Sequence, residues 1–296
     1  MSLYQVLRSL MVLIFIFSPT LRSEEPLRVL NIPEMQESAP AAGRRVKIVA
    51  PEYRNTAVHH SLYLPKDWKP GRNYPVIVEY AGNSFPAAGC TGEVGDAGLG
   101  FGLSQGQFIW VVLPFIEKDH QSNAKNWWGD ELATVEYCKR NVQRVLREFD
   151  GDPDNVFLCG FSRGAIAVNY IGLYDEDISR IWAGFISHDH YDGQREWKNT
   201  SWGSPLEKYQ KSAITRLSRI QGRPVLIMQA DSADSIRLYL KDYAEKNSMT
   251  FLDVPMKNIF PDLPFQGIVH PHNDRWLLFE NSYASFAKQW LTDQLK

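Results

Sequence analysis

The stretch NVFLCGFSRGAIAVNYIGLY, residues 155–174, sets the reading of the whole chain. A short apolar run, NVFLC, leads into Gly160-Phe161-Ser162-Arg163-Gly164 and then into a pattern with helical spacing. A strand that reverses sharply into a helix holds the serine of such a turn in strained backbone with its hydroxyl exposed. Gly160 and Gly164 carry no side chain, which lets neighbouring backbone approach. The N–H of Arg163 falls at the helix N-terminus, where it can meet a developing oxyanion. The plainer reading of Ser162 is a capping serine after a glycine turn; the strand before it and the helix after it favour a nucleophile.

A hydroxyl is a weak nucleophile and needs a base, which in turn needs an orienting group. In strand-turn-helix sites of this kind the acid follows the serine in the chain and the histidine comes last. The apolar run RPVLIMQAD, residues 223–231, ends at Asp231, and Asp234 lies three residues further on, just before a helix. Asp234 is favoured as the acid, because the turn can lift it toward the histidine; Asp231 is the alternative. The loop GIVHPHNDRW, residues 267–276, holds His270 and His272. His272, closer to the closing helix, is favoured as the base, with His270 as the alternative. Upstream, YPVIVEY ends in Ala81-Gly82-Asn83, and the N–H of Asn83 is expected to be the second oxyanion donor beside that of Arg163. The phenol of Tyr80 is the other candidate.

The rest of the chain alternates strand-like and helix-like segments. Residues 44–53 and 59–65 read as an antiparallel pair, and residues 74–82 and 107–115 as buried strands. Residues 129–153 carry Leu132, Val135, Cys138, Val142, Val145, Leu146 and Phe149 at helical spacing, with Gly151 and Pro153 as the stop. Strands follow at residues 180–188, 223–231 and 250–255, with a helix at 235–247 and a closing amphipathic helix at 274–295. Residues 191–212 lack strand signal and read as an excursion over the sheet. Strand–helix alternation in this order gives an α/β class: a mostly parallel central sheet with helices on both faces.

The chain has 296 residues, 44% hydrophobic and 12% aromatic, with a formal net charge of −2. A near-neutral balance with no basic tract gives no nucleic-acid footprint. Residues 1–23 have Arg8, an apolar core at 10–17 and small polar residues after it, the form of a secretory signal peptide. That core is too short to span a bilayer, so no stable membrane insertion is expected after signal removal, and the mature protein is expected to be secreted or periplasmic. Residues 24–43 read as a loose lead-in and residues 44–296 as one catalytic domain. The three cysteines, Cys90, Cys138 and Cys159, make no disulfide framework; a Cys90–Cys138 bridge is left open, and Cys159 reads as a buried thiol.

Together the Gly-x-Ser-x-Gly turn, the Asp after a strand and the His before the last helix resemble the α/β-hydrolase superfamily from about residue 44 to residue 296. Within it the chain is similar to secreted serine esterases of the polyhydroxybutyrate-depolymerase, feruloyl-esterase and dienelactone-hydrolase type, and to the catalytic domains of prolyl-oligopeptidase-type peptidases. The sequence departs from that pattern in having Ala81-Gly82 before the oxyanion loop, Gln229-Ala230 at the end of the acid-bearing strand and Pro271 before His272. The resemblance implies acyl transfer through Ser162, His272 and Asp234 on small-molecule, carbohydrate or polymer esters, with no cofactor and no metal. A serine peptidase and a non-catalytic binding module on the same scaffold are the competing readings.

Two further motifs need weighing. SHDHYDG, residues 187–193, places His188, His190 and Asp192 in a His-x-His-x-Asp run, the front of a binuclear metal signature. Gly193 stands where the next histidine belongs, so His188 and His190 are read as a wall of the site that contacts substrate. In NWWGDE, Trp127 and Trp128 can stack on a substrate ring; the plainer reading is two core anchors, one half-buried.

Overall fold

The computed structural model describes residues 29–244 and 248–296. The signal-peptide reading of residues 1–23 lies outside the described residues. Among the described residues nine strands form one sheet: β1 (Met35–Gln36), β2 (Arg45–Ile48), β3 (His60–Tyr63), β4 (Tyr74–Tyr80), β5 (Ile109–Leu113), β6 (Gly151–Phe161), β7 (Gly184–His188), β8 (Val225–Ala230) and β9 (Met249–Val254). The order across the sheet is β1-β2-β3-β5-β4-β6-β7-β8-β9. β2, β3 and β5 pair antiparallel, and β5, β4, β6, β7, β8 and β9 run parallel.

The helices are α1 (Leu99–Ser104), α2 (Glu131–Glu148), α3 (Arg163–Tyr170), α4 (Glu176–Ser179), α5 (Leu206–Leu217), α6 (Asp234–Tyr239), α7 (Lys241–Ala244), α8 (Met256–Ile259) and α9 (Ser282–Asp293). Each central strand feeds two cores, because successive side chains point to opposite faces. Val76, Val78, Val156 and Leu158 belong to the core beneath α2 and α3, while Ile77, Phe157 and Cys159 belong to the one beneath α1 and α9. The continuous apolar runs of β4, β5 and β6 are the signature of strands covered on both sides.

Several boundaries differ from the sequence expectation. α2 is capped by Asp130, whose carboxylate accepts from the Ala133 N–H at 3.0 Å. Leu132 faces solvent rather than the core. α2 also ends before Gly151, which opens β6. The closing helix starts at Ser282, capped by Asn281, after a separate 3₁₀ turn at Arg275–Leu278. The lead-in is not loose where it is described: Leu30 N donates to Leu278 O at 2.7 Å, and Met35–Gln36 pairs with β2. All three cysteines are free thiols.

α1 was not legible in the sequence. Its N-terminus is held by Glu79, a fully buried carboxylate on β4. Glu79 accepts from the N–H groups of Gly98, Leu99 and Gly100 at 3.2, 3.0 and 2.8 Å and from the Trp110 indole at 2.7 Å.

Candidate active site

The parallel half of the sheet delivers three chain segments to one end. β6 ends at Phe161, and Ser162 takes φ 57° and ψ −116° before α3 begins. The glycines flanking it are required by contact, not by backbone conformation. A Cβ on Gly164 would sit 1.8 Å from Tyr80 O, and one on Gly160 would sit 2.2 Å from the Gly164 backbone. β7 ends at His188, paired in register with Phe161, and Asp189 follows with φ 59°. The loop after β9 brings His272.

His272 lies between the two. Its Nε2 is 3.0 Å from Ser162 Oγ, and its Nδ1 is 3.0 Å from Asp189 Oδ2. A carboxylate only accepts, so Nδ1 carries the proton and donates, and the Nε2 lone pair faces the serine hydroxyl. The imidazole rests on the Phe161 ring at 4.6 Å. Asp189 is buried, and its other oxygen accepts from Ala230 N at 2.6 Å and Gln229 Nε2 at 3.1 Å. Burial alone would raise this carboxyl. The adjacent His188, the hydrogen bond and charge of His272 and the Ala230 N–H outweigh it and hold the group at about 2.

The expected acid is therefore displaced in space. Asp234 opens α6 with its side chain exposed and ion-paired to Arg237 at 3.1 Å. Asp231 is exposed as well, and its N–H donates to Val254 O. The end of β8 supplies donors to the carboxylate on His272 instead of the carboxylate itself, which is what Gln229-Ala230 do there. Of the two histidines, His270 is turned away: its Nδ1 accepts from the His272 N–H at 3.0 Å, and its ring stands against Phe85.

His188 and His190 have different surroundings. His188 is fully buried and does not reach the cleft; the Trp276 indole donates to its Nε2 at 2.9 Å, and its Nδ1 faces Met228 O at 3.3 Å. The Trp276–His188 bond ties the loop that carries His272 to the strand that carries Asp189. His190 lines the Ser162 cleft, with its ring 5.6 Å from that of His272. Asp192 is buried in a two-bond pair with Arg216 at 2.8 and 2.9 Å. The three members of the His-x-His-x-Asp run thus face three different surroundings. Asp189, in the middle of that run, was missed. The signal that could have found it is a carboxylate immediately after the strand next to the serine strand.

The cleft over Ser162 has a volume of about 330 Å³, and Gly82, Asn83, Phe85, Trp127, Arg163, His190, Arg195 and Trp197 are among its lining. A Cβ on Gly82 would lie 3.4 Å from Ser162 Cβ, so the backbone after β4 runs beside the hydroxyl. The Asn83 side chain fixes this loop by accepting from Trp127 N at 2.8 Å. Tyr80 is not part of the cleft; its ring is fully buried beside Cys138 and Phe115.

The Arg163 side chain turns inward. Its guanidinium donates to the carbonyls of Gly82 (2.9 Å), Trp127 (3.0 Å), Ala124 (3.0 Å), Gly92 (3.2 Å) and Ala81 (3.4 Å), over the Phe115 ring. Burial lowers it to about 9, against the charges of Glu93 and Asp96. It clamps three loops around the serine. Trp128 is a core anchor stacked on Tyr170 at 4.4 Å, while Trp127 is half-buried between the cleft and Trp197 and Trp202.

Comparison with family models gives no match, and comparison with curated proteins gives none either. Solved structures do match in shape. A thermostable esterase superposes with TM-score 0.51 at 17% identity, covering 84% of this chain and 62% of its own. A ferulic acid esterase gives 0.50 at 11% identity, covering 85% of this chain and 97% of its own. A variant of the AtxE2 isopeptidase with Astexin3-dC4 bound gives 0.50 at 15% identity, covering 86% and 40%. This chain therefore spans less than two thirds of the thermostable esterase and of the isopeptidase. Likeness at such identities speaks to architecture: the chain has the α/β-hydrolase fold.

Proposed function

We propose that this chain is a serine hydrolase that cleaves carboxylic esters through an acyl-enzyme on Ser162. The observation that carries the reading is the single imidazole of His272 standing 3.0 Å from Ser162 Oγ and 3.0 Å from Asp189 Oδ2. His272 Nε2 takes the hydroxyl proton as Ser162 attacks the carbonyl, then returns it to the leaving alcohol. Asp189 holds the ring in the Nδ1–H tautomer and stabilises the imidazolium. The N–H groups of Arg163 and Asn83 bind the oxyanion. Water then attacks the acyl-enzyme by the same route in reverse.

Two of the three proteins of this shape named above are esterases and one is an isopeptidase, which favours ester over amide substrates, and the assembled trio argues against a purely binding role. Among the described residues no helix is long and apolar enough to cross a membrane, and we read residues 1–23 as an export signal. The test is fluorophosphonate labelling together with a short-chain ester panel and an aminoacyl-amide panel. Labelling that vanishes in Ser162→Ala, with ester turnover exceeding amide turnover, supports the reading. A folded wild type that neither labels nor turns over any ester overturns it, and amide turnover exceeding ester turnover turns it to a peptidase.

A further inference from the structure

The Ser162 cleft carries a cation that the acyl-transfer chemistry does not use. Arg195 lines the cleft, with its guanidinium 4.1 Å over the Trp197 ring. Its Nη2 is 3.3 Å from His190 Nε2. Among the described residues no carboxylate lies within ion-pair distance of it. The nearest acids in sequence are committed elsewhere, Glu196 to the Ser204 hydroxyl at 2.6 Å and Asp192 to Arg216. Among the described residues no aspartate or glutamate lines the cleft, and the other guanidinium there, Arg163, is spent on carbonyls.

We propose that Arg195, backed by His190, is an anion-binding subsite, and that the ester substrate carries a carboxylate about one ring's width from the scissile bond. This rests on the serine-hydrolase reading above. The geometry gives the spacing: the His272 ring is 5.6 Å from that of His190, and His190 leads directly to Arg195. Stacking on Trp197 keeps the guanidinium from folding back, and the planar fork that remains suits a carboxylate. His190 accepts from Arg195 and so adds no competing positive charge. Burial first, then the charges of Arg195 and His272, lower it to about 3, and it stays neutral in use. Trp127 and Trp197, 4.9 Å apart edge to face, both line the cleft and give the ring of such a substrate an aromatic contact beside the guanidinium.

The test compares 4-acetoxybenzoate with its neutral counterpart 4-acetylphenyl acetate. Calorimetric titration of the Ser162→Ala protein reads binding without turnover. The anionic ester is expected to bind about tenfold more tightly than the neutral one, with the preference shrinking as salt rises. In the Ser162→Ala, Arg195→Ala protein the ratio falls to about one, and Arg195→Lys keeps part of it. The same ratio is read in kcat/KM for chains that retain Ser162. A parent ratio near one, or one that Arg195→Ala leaves unchanged, overturns the subsite. Binding preference without hydrolysis of either ester removes the hydrolase reading and keeps the subsite, while equal hydrolysis of both does the reverse.

Discussion

Ser162 and Asp189 occupy equivalent positions on neighbouring strands: Phe161 and His188 are paired in register, and the next residue in each chain turns into left-handed backbone, φ 57° and φ 59°. A hydroxyl and a carboxylate are thereby raised at the same level of the sheet, one strand apart. A single imidazole spans the gap. The strain at each turn, of order 1–3 kcal/mol, is held by the sheet on one side and by buried bonds on the other.

Asp189 is held ionised by its surroundings, and this has a consequence for stability. Its folded-state value of about 2 lies below the ordinary 3.8. A depressed carboxyl contributes stability that is fully present above the unfolded value and is lost as pH falls through the folded one. The wild type is therefore expected to exceed Asp189→Asn by about 2 kcal/mol at neutral pH, with the gap closing between about pH 4 and pH 2. Denaturant titrations of both proteins at several pH values check this. A gap that stays constant down to pH 2 counts against it.

Gly164→Ala is expected to be among the most damaging small substitutions in the chain. The new methyl would sit 1.8 Å from Tyr80 O, so α3 would have to move off β4. A cost of about 3 kcal/mol or more is expected from overpacking at backbone that cannot yield. Thermal unfolding measures it, and a melting temperature unchanged from wild type would show that the helix is free to shift.

Arg163→Lys should lower both stability and turnover. A lysine cannot donate to five carbonyls from three loops, and it leaves several of them unsatisfied. A loss of about 2–4 kcal/mol is expected, with kcat falling more than KM changes, because the loop carrying Asn83 loses its anchor. Stability and kinetics both equal to wild type would show the clamp to be incidental.

Glu79→Gln tests the device that specifies α1. The amide nitrogen would face N–H donors where Glu79 now offers only acceptors. A cost of about 1–3 kcal/mol is expected for the unsatisfied donors. Denaturant unfolding reads it, and a neutral result would mean the helix is held by packing alone.

The sequence carried the parts of the fold that local pattern specifies. The buried strands 74–80 and 109–113 announce themselves as unbroken apolar runs, and Ser162 by its glycines. His272 follows from its place before the last helix. The helix α1 could not be read that way. Gly100 and Gly102 are poor helix formers, and they are there because a Cβ would come within 2.8 Å of Trp110 and Leu277. Asp189 was hidden for a different reason. Its place beside Ser162 depends on the register between β6 and β7, and the one local signal, a carboxylate directly after the strand at 180–188, does not by itself give that register. The histidines on either side of it drew the pattern toward metal ligands. Asp234, by contrast, looks right along the chain and ends on the solvent side of α6.

Acylation rates decide which aspartate serves His272. Fluorophosphonate labelling of Ser162 should slow roughly ten-thousandfold in Asp189→Asn, as expected when the tautomer of the base is lost, and stay within about twofold of wild type in Asp234→Asn, whose exposed ion pair contributes little. The opposite pattern, slow labelling in Asp234→Asn and wild-type labelling in Asp189→Asn, would contradict the Ser162–His272–Asp189 assignment.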